Sequence, residues 1–130
     1  MREIKFKAWS GLTMYVPDYI DFTGGCYTSY SRWDSASVEK DENSILLQWT
    51  GLKDKNDKDI YEGDICQRKY FKNNIEVIEL YKIFFDVGIF QCEKISSPGM
   101  SCSLGFYCTN VNVIIEVIGN IFENPEFLKN

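Results

Sequence analysis

Histidine is absent from this 130-residue sequence. Its absence removes the commonest general base, the commonest zinc ligand and the usual partner that activates a nucleophilic serine or cysteine. The five cysteines are odd in number and are never spaced as C-x-x-C, so they indicate neither a disulfide framework nor a zinc knuckle. We therefore expect a protein without metal, cofactor or enzymatic activity, placed in a reducing cytoplasm.

Long apolar runs are missing as well. Charged residues such as Arg2, Glu3 and Lys5 interrupt the start of the sequence, which therefore does not resemble an export signal. No apolar stretch approaches the length that crosses a membrane, so we expect no membrane partner. The net charge of -5, from 14 basic and 19 acidic residues, repels phosphate backbones, and binding to nucleic acid would need a local basic patch.

The sequence does contain enough apolar material for a core, with 45% hydrophobic and 15% aromatic residues. Its length is that of one domain. Short segments alternate apolar with polar residues and are separated by turns rich in Gly, Asn, Asp and Ser, a pattern typical of β-strands. We predict a mainly β fold, a small barrel or roll formed by one domain over residues 1–130.

The pattern divides that domain into three parts. Residues 1–16 predict an N-terminal hairpin that turns at Ser10-Gly11. Residues 17–44 lack sustained periodicity and predict a long loop region. Residues 45–130 resume the alternation and predict the β-barrel core.

Turn-forming residues within the predicted barrel core indicate its main turns. Asn73-Asn74 interrupts an alternating segment and indicates a hairpin turn, and residues 96–105 indicate a loop of small residues. Residues 111–118 predict the last strand. Asn124-Pro125, a residue suited to capping followed by a proline, predicts one short helical turn at the C-terminal end.

Three stretches of the sequence carry a specific pattern in a fixed order. They read REIKFKAW over 2–9 with MY at 14–15, QWTGLKDKN over 48–56 with IYEGDI over 60–65, and VIGNIFENPE over 117–126. In order and spacing they are similar to the YopX family of phage and prophage proteins. The sequence departs from the family at Asp57, where a glycine usually follows the asparagine.

The resemblance implies a mostly β protein with a small SH3-like barrel, encoded in phage or prophage genomes and acting in the cytoplasm of the bacterial host cell. It supplies no catalytic residues. Turn chemistry explains each residue type, so we interpret the family residues as structural; for example, a bend at Gly63 and a carboxylate of Asp64 bound to nearby amides would let Ile65 reach the core. These residues are Trp9, Thr50, Gly51, Leu52, Tyr61, Glu62, Gly63, Asp64, Gly119, Asn120, Glu123, Asn124 and Pro125.

The acidic residues of the 53–59 segment superficially resemble a calcium loop. Counting from Asp54, however, Asp59 and Ile65 stand where an EF-hand needs a glycine and a bidentate acid. Lysines interleaved with the acids indicate a solvated hairpin tip instead.

Glu62 and Asp64 lie two positions apart, a spacing that would put both carboxylates on one face of a strand as a general acid and base require. The glycine between them undermines that geometry, and no nucleophile or metal ligand converges nearby in the sequence. We therefore favour a structural role for this pair.

Two aromatic segments remain as candidate contact surfaces. Tyr27, Tyr30 and Trp33 are candidates for binding an unidentified protein partner, and tethering of the loop is the alternative. Arg68 and Lys69, followed by further aromatic residues, resemble platforms for single-stranded nucleic acid on small barrels. The leading hypothesis is a non-enzymatic protein-binding module, and the alternative is a barrel that binds single-stranded nucleic acid. Unpaired strand edges also predict a homo-oligomer.

Overall fold

The computed structural model describes residues 3–17, 19–21, 25–29, 38–41, 44–105 and 114–129. The protein is mainly β, as the alternation predicts, and it divides into two compact units, Met1–Gln48 and Trp49–Asn130, each described by itself. The single domain over residues 1–130 stays a prediction. The strands are β1 (Phe6–Trp9), β2 (Met14–Tyr15), β3 (Tyr19–Asp21), β4 (Gly25–Ser29), β5 (Val38–Asp41), β6 (Ile45–Lys53), β7 (Asp59–Tyr61), β8 (Asp64–Lys72), β9 (Ile75–Asp86), β10 (Ile89–Lys94), β11 (Ser101–Ser103) and β12 (Ile114–Asn120).

The first unit begins with the predicted N-terminal hairpin. Strands β1 and β2 pair antiparallel, with Ala8 opposite Tyr15, and the hydroxyl of Ser10 accepts hydrogen bonds from the amides of Leu12 and Thr13 in the turn between them. Strand β1 also pairs antiparallel with the first part of β6, where Ala8 lies opposite Leu46. The hairpin prediction is confirmed.

The 17–44 segment differs from the predicted long loop. Strands β3, β4 and β5 form a three-stranded antiparallel sheet in which Tyr19 lies opposite Tyr27 and Thr28 lies opposite Glu39. Strand pairing is made by backbone groups and does not require alternating apolar side chains. Short, largely polar strands therefore leave no periodic signal in the sequence.

The second unit is built on a five-stranded antiparallel sheet in the order β11-β10-β9-β8-β12. The β8–β9 hairpin turns at Asn73 and Asn74, both with positive φ, which confirms the predicted turn. The β9–β10 hairpin turns at Val87 and Gly88, also with positive φ. Strand β11 lies inside the predicted loop over 96–105, because Cys102 pairs directly opposite Cys92 on β10.

The core of the second unit lies on one face of this sheet. Its buried members come from β8, β9, β10 and β12, at alternate positions where a strand gives more than one, together with one residue each from β7 and the segment after β11. They are Ile60, Cys66, Tyr81, Ile83, Cys92, Leu104, Ile115 and Val117. Ile65, on the other face of β8, is also fully buried.

The last strand and the C-terminal turn follow the sequence prediction in part. Strand β12 carries an irregularity between Val117 and Gly119, and residues 111–113 of the predicted strand lie outside the described residues. A 3-10 helix, η1 (Pro125–Leu128), confirms the helical turn, although the side chain of Asn124 does not cap it. Among the described residues, none of the helical segments has the length and apolar character needed to cross a bilayer.

Candidate functional site

The family residues of the β6–β7 hairpin hold its backbone in place. The hydroxyl of Thr50 donates a hydrogen bond to the carbonyl of Ile60 at 2.7 Å and accepts one from the amide of Leu52 at 3.2 Å. Gly51 adopts a φ of +87° where the pairing of β6 with β7 becomes irregular. Leu52 packs against the core. A buried hydroxyl thus bridges the two strands where their ladder is interrupted.

Asp54 is the acid whose role sequence reasoning missed. Its side chain is buried, with 9% of its surface exposed, and its carboxylate accepts hydrogen bonds from the amides of Asn56, Lys58 and Val117 at 2.8, 3.0 and 2.9 Å. Burial alone would raise the pKa of Asp54, but these amides and the charge of Lys58 lower it. This acid organises the hairpin tip from the inside, so the prediction of a solvated tip does not hold for it.

The bend at Gly63 and Asp64 brings three elements together. Gly63 has a φ of +82°, donates to the carbonyl of Ile83 and accepts from the amide of Ile121, both at 2.8 Å. The carboxylate of Asp64, which is buried, accepts a hydrogen bond from the amide of Tyr61 at 2.8 Å. The structure places Asp64 inside this turn, next to Glu62, where its carboxylate serves the backbone.

The family residues at the end of β12 form a second turn. The side-chain oxygen of Asn120 accepts hydrogen bonds from the amides of Phe122 and Glu123 at 3.0 and 2.8 Å, and the side-chain oxygen of Asn124 accepts one from the amide of Asn120 at 3.2 Å. A Cβ atom on Gly119 would clash with that oxygen of Asn124. These contacts support a structural interpretation of this stretch, from Gly119 through Pro125, the first residue of η1.

The remaining predicted residues lie apart from these turns. Trp9 belongs to β1 in the first unit, and Tyr27 belongs to β4. Tyr30 and Trp33 lie outside the described residues, so the predicted aromatic contact surface in the 17–44 segment stays a prediction. Tyr61 lies in β7, half-buried, and Glu62 in the turn that follows.

Arg68 and Lys69, predicted as one basic patch, lie on opposite faces of β8. Their positions follow from the alternation of a strand. The guanidinium of Arg68 lies over the ring of Tyr70, 4.4 Å from its centroid, and donates to the hydroxyl of Tyr81 at 3.1 Å. Lys69 forms a 3.9 Å ion pair with Glu76 on the other face. The two cations therefore do not form one continuous surface.

Glu79 is the centre of the contacts around Arg68. Its carboxylate accepts hydrogen bonds from the hydroxyls of Tyr70 and Tyr81 at 2.5 and 2.8 Å and pairs with the ammonium of Lys94 at 3.0 Å. Burial alone would raise the pKa of Glu79, but the hydrogen bonds from Tyr70, Lys94 and Tyr81 lower it to about 2. We call Arg68, Tyr70, Glu79, Tyr81 and Lys94 the Glu79 cluster. The cluster lies on the same face of the sheet as the core, and its polar side chains contact one another there.

A groove with a volume of about 530 Å³ adjoins the Glu79 cluster. It runs beside residues 77–80 of β9, and residues 94–96 and the C-terminal 3-10 turn form its other walls. Its apolar lining consists of Val77, Ile78, Leu80, Ile95 and Phe127, and its charged lining consists of Lys72, Glu79, Lys94 and Lys129. We call it the β9 groove.

The lining of the β9 groove is suited to binding another molecule. Apolar side chains and ammonium groups converge there, and the carboxylate of Glu79 is held by three partners within the Glu79 cluster. The low pKa of Glu79 keeps its carboxylate ionised near neutral pH. A carboxylate with such a pKa is poorly suited to act there as a general acid or base. The alternating strand pattern signals β9 itself, but the groove depends on the path of the chain after Lys94, which the pattern does not reveal.

Comparisons with known proteins place this fold among solved structures. The family model described as YopX protein matches residues 5–129. The crystal structure of protein EF1440 from Enterococcus faecalis is similar, with 23% identity, a TM-score of 0.64 and coverage of 99% of this chain and 100% of that chain. The crystal structure of protein yopX from Bacillus subtilis has 21% identity, a TM-score of 0.65 and the same coverage. No curated protein matches the sequence significantly.

Proposed function

The chain belongs to the YopX family, and from that premise we propose that it is a non-enzymatic accessory protein of phage or prophage type that binds another protein. We place it in the cytoplasm of the bacterial host. The β9 groove is the surface that we assign to this binding. The proposal gives no catalytic role to the family residues, because the side-chain contacts of Thr50, Asp64 and Asn120 serve turns and strand junctions.

The observation that carries the proposal is the combination of apolar surface and open sheet edge at the β9 groove. Ile78 lines the groove with 51% of its surface exposed, although it is an interior residue, the fourth, of a twelve-residue strand. Exposed apolar side chains gathered at a concave site are typical of surfaces that bind partners. Among the described residues, β10 pairs with β9 only from Tyr81 to Asp86, so the β9 backbone beside the groove has an open edge that adds hydrogen-bonding groups to the same place.

Binding of single-stranded nucleic acid is the alternative function. Arg68 is engaged with Tyr70 and Tyr81, and Lys69 with Glu76, so these two cations give it little support. The net charge of -5 also opposes it. We therefore treat nucleic-acid binding as an outcome to be tested beside protein binding.

Affinity capture from host lysate with three matched baits tests the proposal. The baits are the wild type, the groove variant Ile78→Asp, and the control variant Val87→Asp, which changes an exposed apolar residue in the turn directly after β9. We expect one protein to be recovered with the wild type and the control, and to be lost with the groove variant. Circular dichroism of all three baits checks that they are folded.

Three results would contradict the proposal. Recovery of the same protein by all three baits would place binding away from the groove. Recovery that disappears after nuclease treatment and falls steeply with salt would favour the nucleic-acid alternative. Reproducible recovery of the bait alone under mild conditions would argue against a protein-binding function.

A further inference from the structure

Half of strand β9 lacks a neighbour on one side among the described residues. Strand β10 pairs with β9 only from Tyr81 to Asp86, and the chain then leaves the sheet after the amide of Ile95 binds the carbonyl of Leu80 at 2.9 Å. Strand β8 pairs along the other side of β9 as far as Ile75. Residues 75–79 are therefore paired on one side and open on the other, in line with β10.

The backbone groups of this open edge point toward the β9 groove. In an antiparallel ladder, every second residue directs both its N–H and its C=O groups to the same neighbour. Because the carbonyl of Leu80 binds Ile95 on the β10 side, the corresponding groups of Ile78 and Glu76 point to that side as well. An extended chain that continues the line of β10 would meet them at ladder spacing.

The charges around the groove are predominantly positive. Lys72, Lys94 and Lys129 line it, and Glu79 is the acid among its lining residues. Glu79 is ion-paired with Lys94 and hydrogen-bonded to two tyrosines, whereas Lys72 and Lys129 form no ion pair with the described residues. A locally cationic groove on a chain with a net charge of -5 favours an anionic occupant over a second copy of the same acidic chain.

We propose that the β9 groove binds an extended acidic segment of a partner protein, which adds as a strand to the open edge of β9 in line with β10. The proposal rests on the protein-binding function above and specifies the chemistry of the partner segment. Backbone hydrogen bonds to Glu76 and Ile78 supply the pairing, the apolar lining receives alternate side chains, and Lys72 and Lys129 attract acidic ones. The segment that fits the edge is about five residues long, because the open stretch of β9 spans residues 75–79.

Short synthetic peptides test this proposal on the full chain. The probe alternates valine with glutamate, and the controls are a valine-lysine peptide and a valine-glutamate peptide whose backbone nitrogens are methylated at alternate positions. We expect the probe to bind by fluorescence anisotropy and to slow hydrogen exchange at the amides of Glu76 and Ile78. Each control peptide is expected to bind at least about tenfold more weakly, since one reverses the charge and the other removes the ladder donors.

Protein variants complete the test. The double variant Lys72→Glu/Lys129→Glu should weaken binding of the probe by about tenfold or more, and Lys58→Glu, at the β6–β7 hairpin tip, should leave it unchanged. Equal binding of the methylated and unmethylated peptides would overturn strand addition. A concentration-dependent dimer that protects the same amides without peptide would assign the edge to a second copy.

The result distinguishes this inference from the function on which it rests. If capture of a protein depends on Ile78 but no peptide binds, the protein-binding function stands and the acidic strand is wrong. If neither capture nor peptide binding is seen, both proposals fail.

Discussion

The carboxylate of Asp54 accepts a hydrogen bond from the backbone amide of Val117 at 2.9 Å, although 63 positions separate the two residues in the sequence. The same carboxylate binds the amides of Asn56 and Lys58. A second contact, from the amide of Lys55 to the carbonyl of Ile115, runs parallel to it. One buried acid therefore fastens the tip of the β6–β7 hairpin to the middle of β12.

Replacing this acid should destabilise the second unit. We expect Asp54→Asn to lower the free energy of unfolding by about 2 kcal/mol, because a charged acceptor shared by three amides is replaced by a weaker neutral one. Asp57→Asn is the matched control, since 86% of the Asp57 side chain is exposed and asparagine tolerates its positive φ. Urea unfolding measures both, and equal effects at the two positions would contradict the assigned role.

The Glu79 cluster should make stability depend on acidity. Because the pKa of Glu79 is lowered from 4.5 to about 2 in the folded state, its contribution is fully present above about pH 4.5 and is lost as the pH falls through about 2. Glu79→Gln should cost about 1–3 kcal/mol near neutral pH and much less near pH 2. Urea unfolding of the wild type and the variant across this range gives the difference.

A matched acid on the same strand controls that experiment. Glu76 lies on the other face of β9, with 44% of its side chain exposed and 3.9 Å from Lys69, so Glu76→Gln should change stability by less than about 0.5 kcal/mol. If Glu79→Gln behaved in the same way, the Glu79 carboxylate would not be the stabilising centre of the cluster.

Two glycines of the family pattern should respond differently to the same substitution. Both Gly63 and Gly51 have positive φ, but a Cβ atom on Gly63 would lie 2.8 Å from a ring carbon of Phe122, and one on Gly51 would meet no atom within 4 Å. We expect Gly51→Ala to cost about 1 kcal/mol from backbone strain alone and Gly63→Ala clearly more. Thermal unfolding ranks the two, and the reverse order would show that the contact with Phe122 does not decide the effect.

The β9–β10 turn offers a stabilising substitution. Val87, a β-branched residue with 86% of its surface exposed, adopts a φ of +52° directly before Gly88. Val87→Asn would create the Asn-Gly pair that such two-residue turns favour, and it should raise the free energy of unfolding by about 1 kcal/mol. Val87→Ala should gain less, because alanine also resists positive φ. No gain from asparagine in urea unfolding would contradict strain at this position.

Local patterns were sufficient to predict much of the fold. The turn at Asn73-Asn74, the bend at Gly63 and the N-terminal hairpin are each encoded by neighbouring residues, so a single sequence reveals them. The strands within 17–44 and β11 were missed, because their pairing rests on backbone groups and their side chains show no period.

The candidate site was harder to predict because it depends on strand register. Arg68 and Glu79 lie directly opposite each other on β8 and β9, and Lys94 reaches Glu79 from β10. In the sequence, Arg68 is followed by Lys69, and the two suggest one basic patch. Only the register shows that Arg68 lies opposite Glu79, on the face of β8 where Tyr70 and Tyr81 engage its guanidinium. Asp54 was misread for a related reason, since its partner Val117 is remote in the sequence.

The irregularity in β12 makes the number of residues in this strand important for the turn that follows it. Val117 lies opposite Cys66 and Gly119 lies opposite Ile65, so β12 has one more residue than β8 over this interval. Removing Ile118 would restore a uniform ladder, yet it would remove the bend and the extra twist that a bulge gives a strand, directly before the turn at Asn120. Natural variants of this chain are therefore expected to accept single-residue deletions in the 96–99 turn and to reject them here, whatever the residue lost.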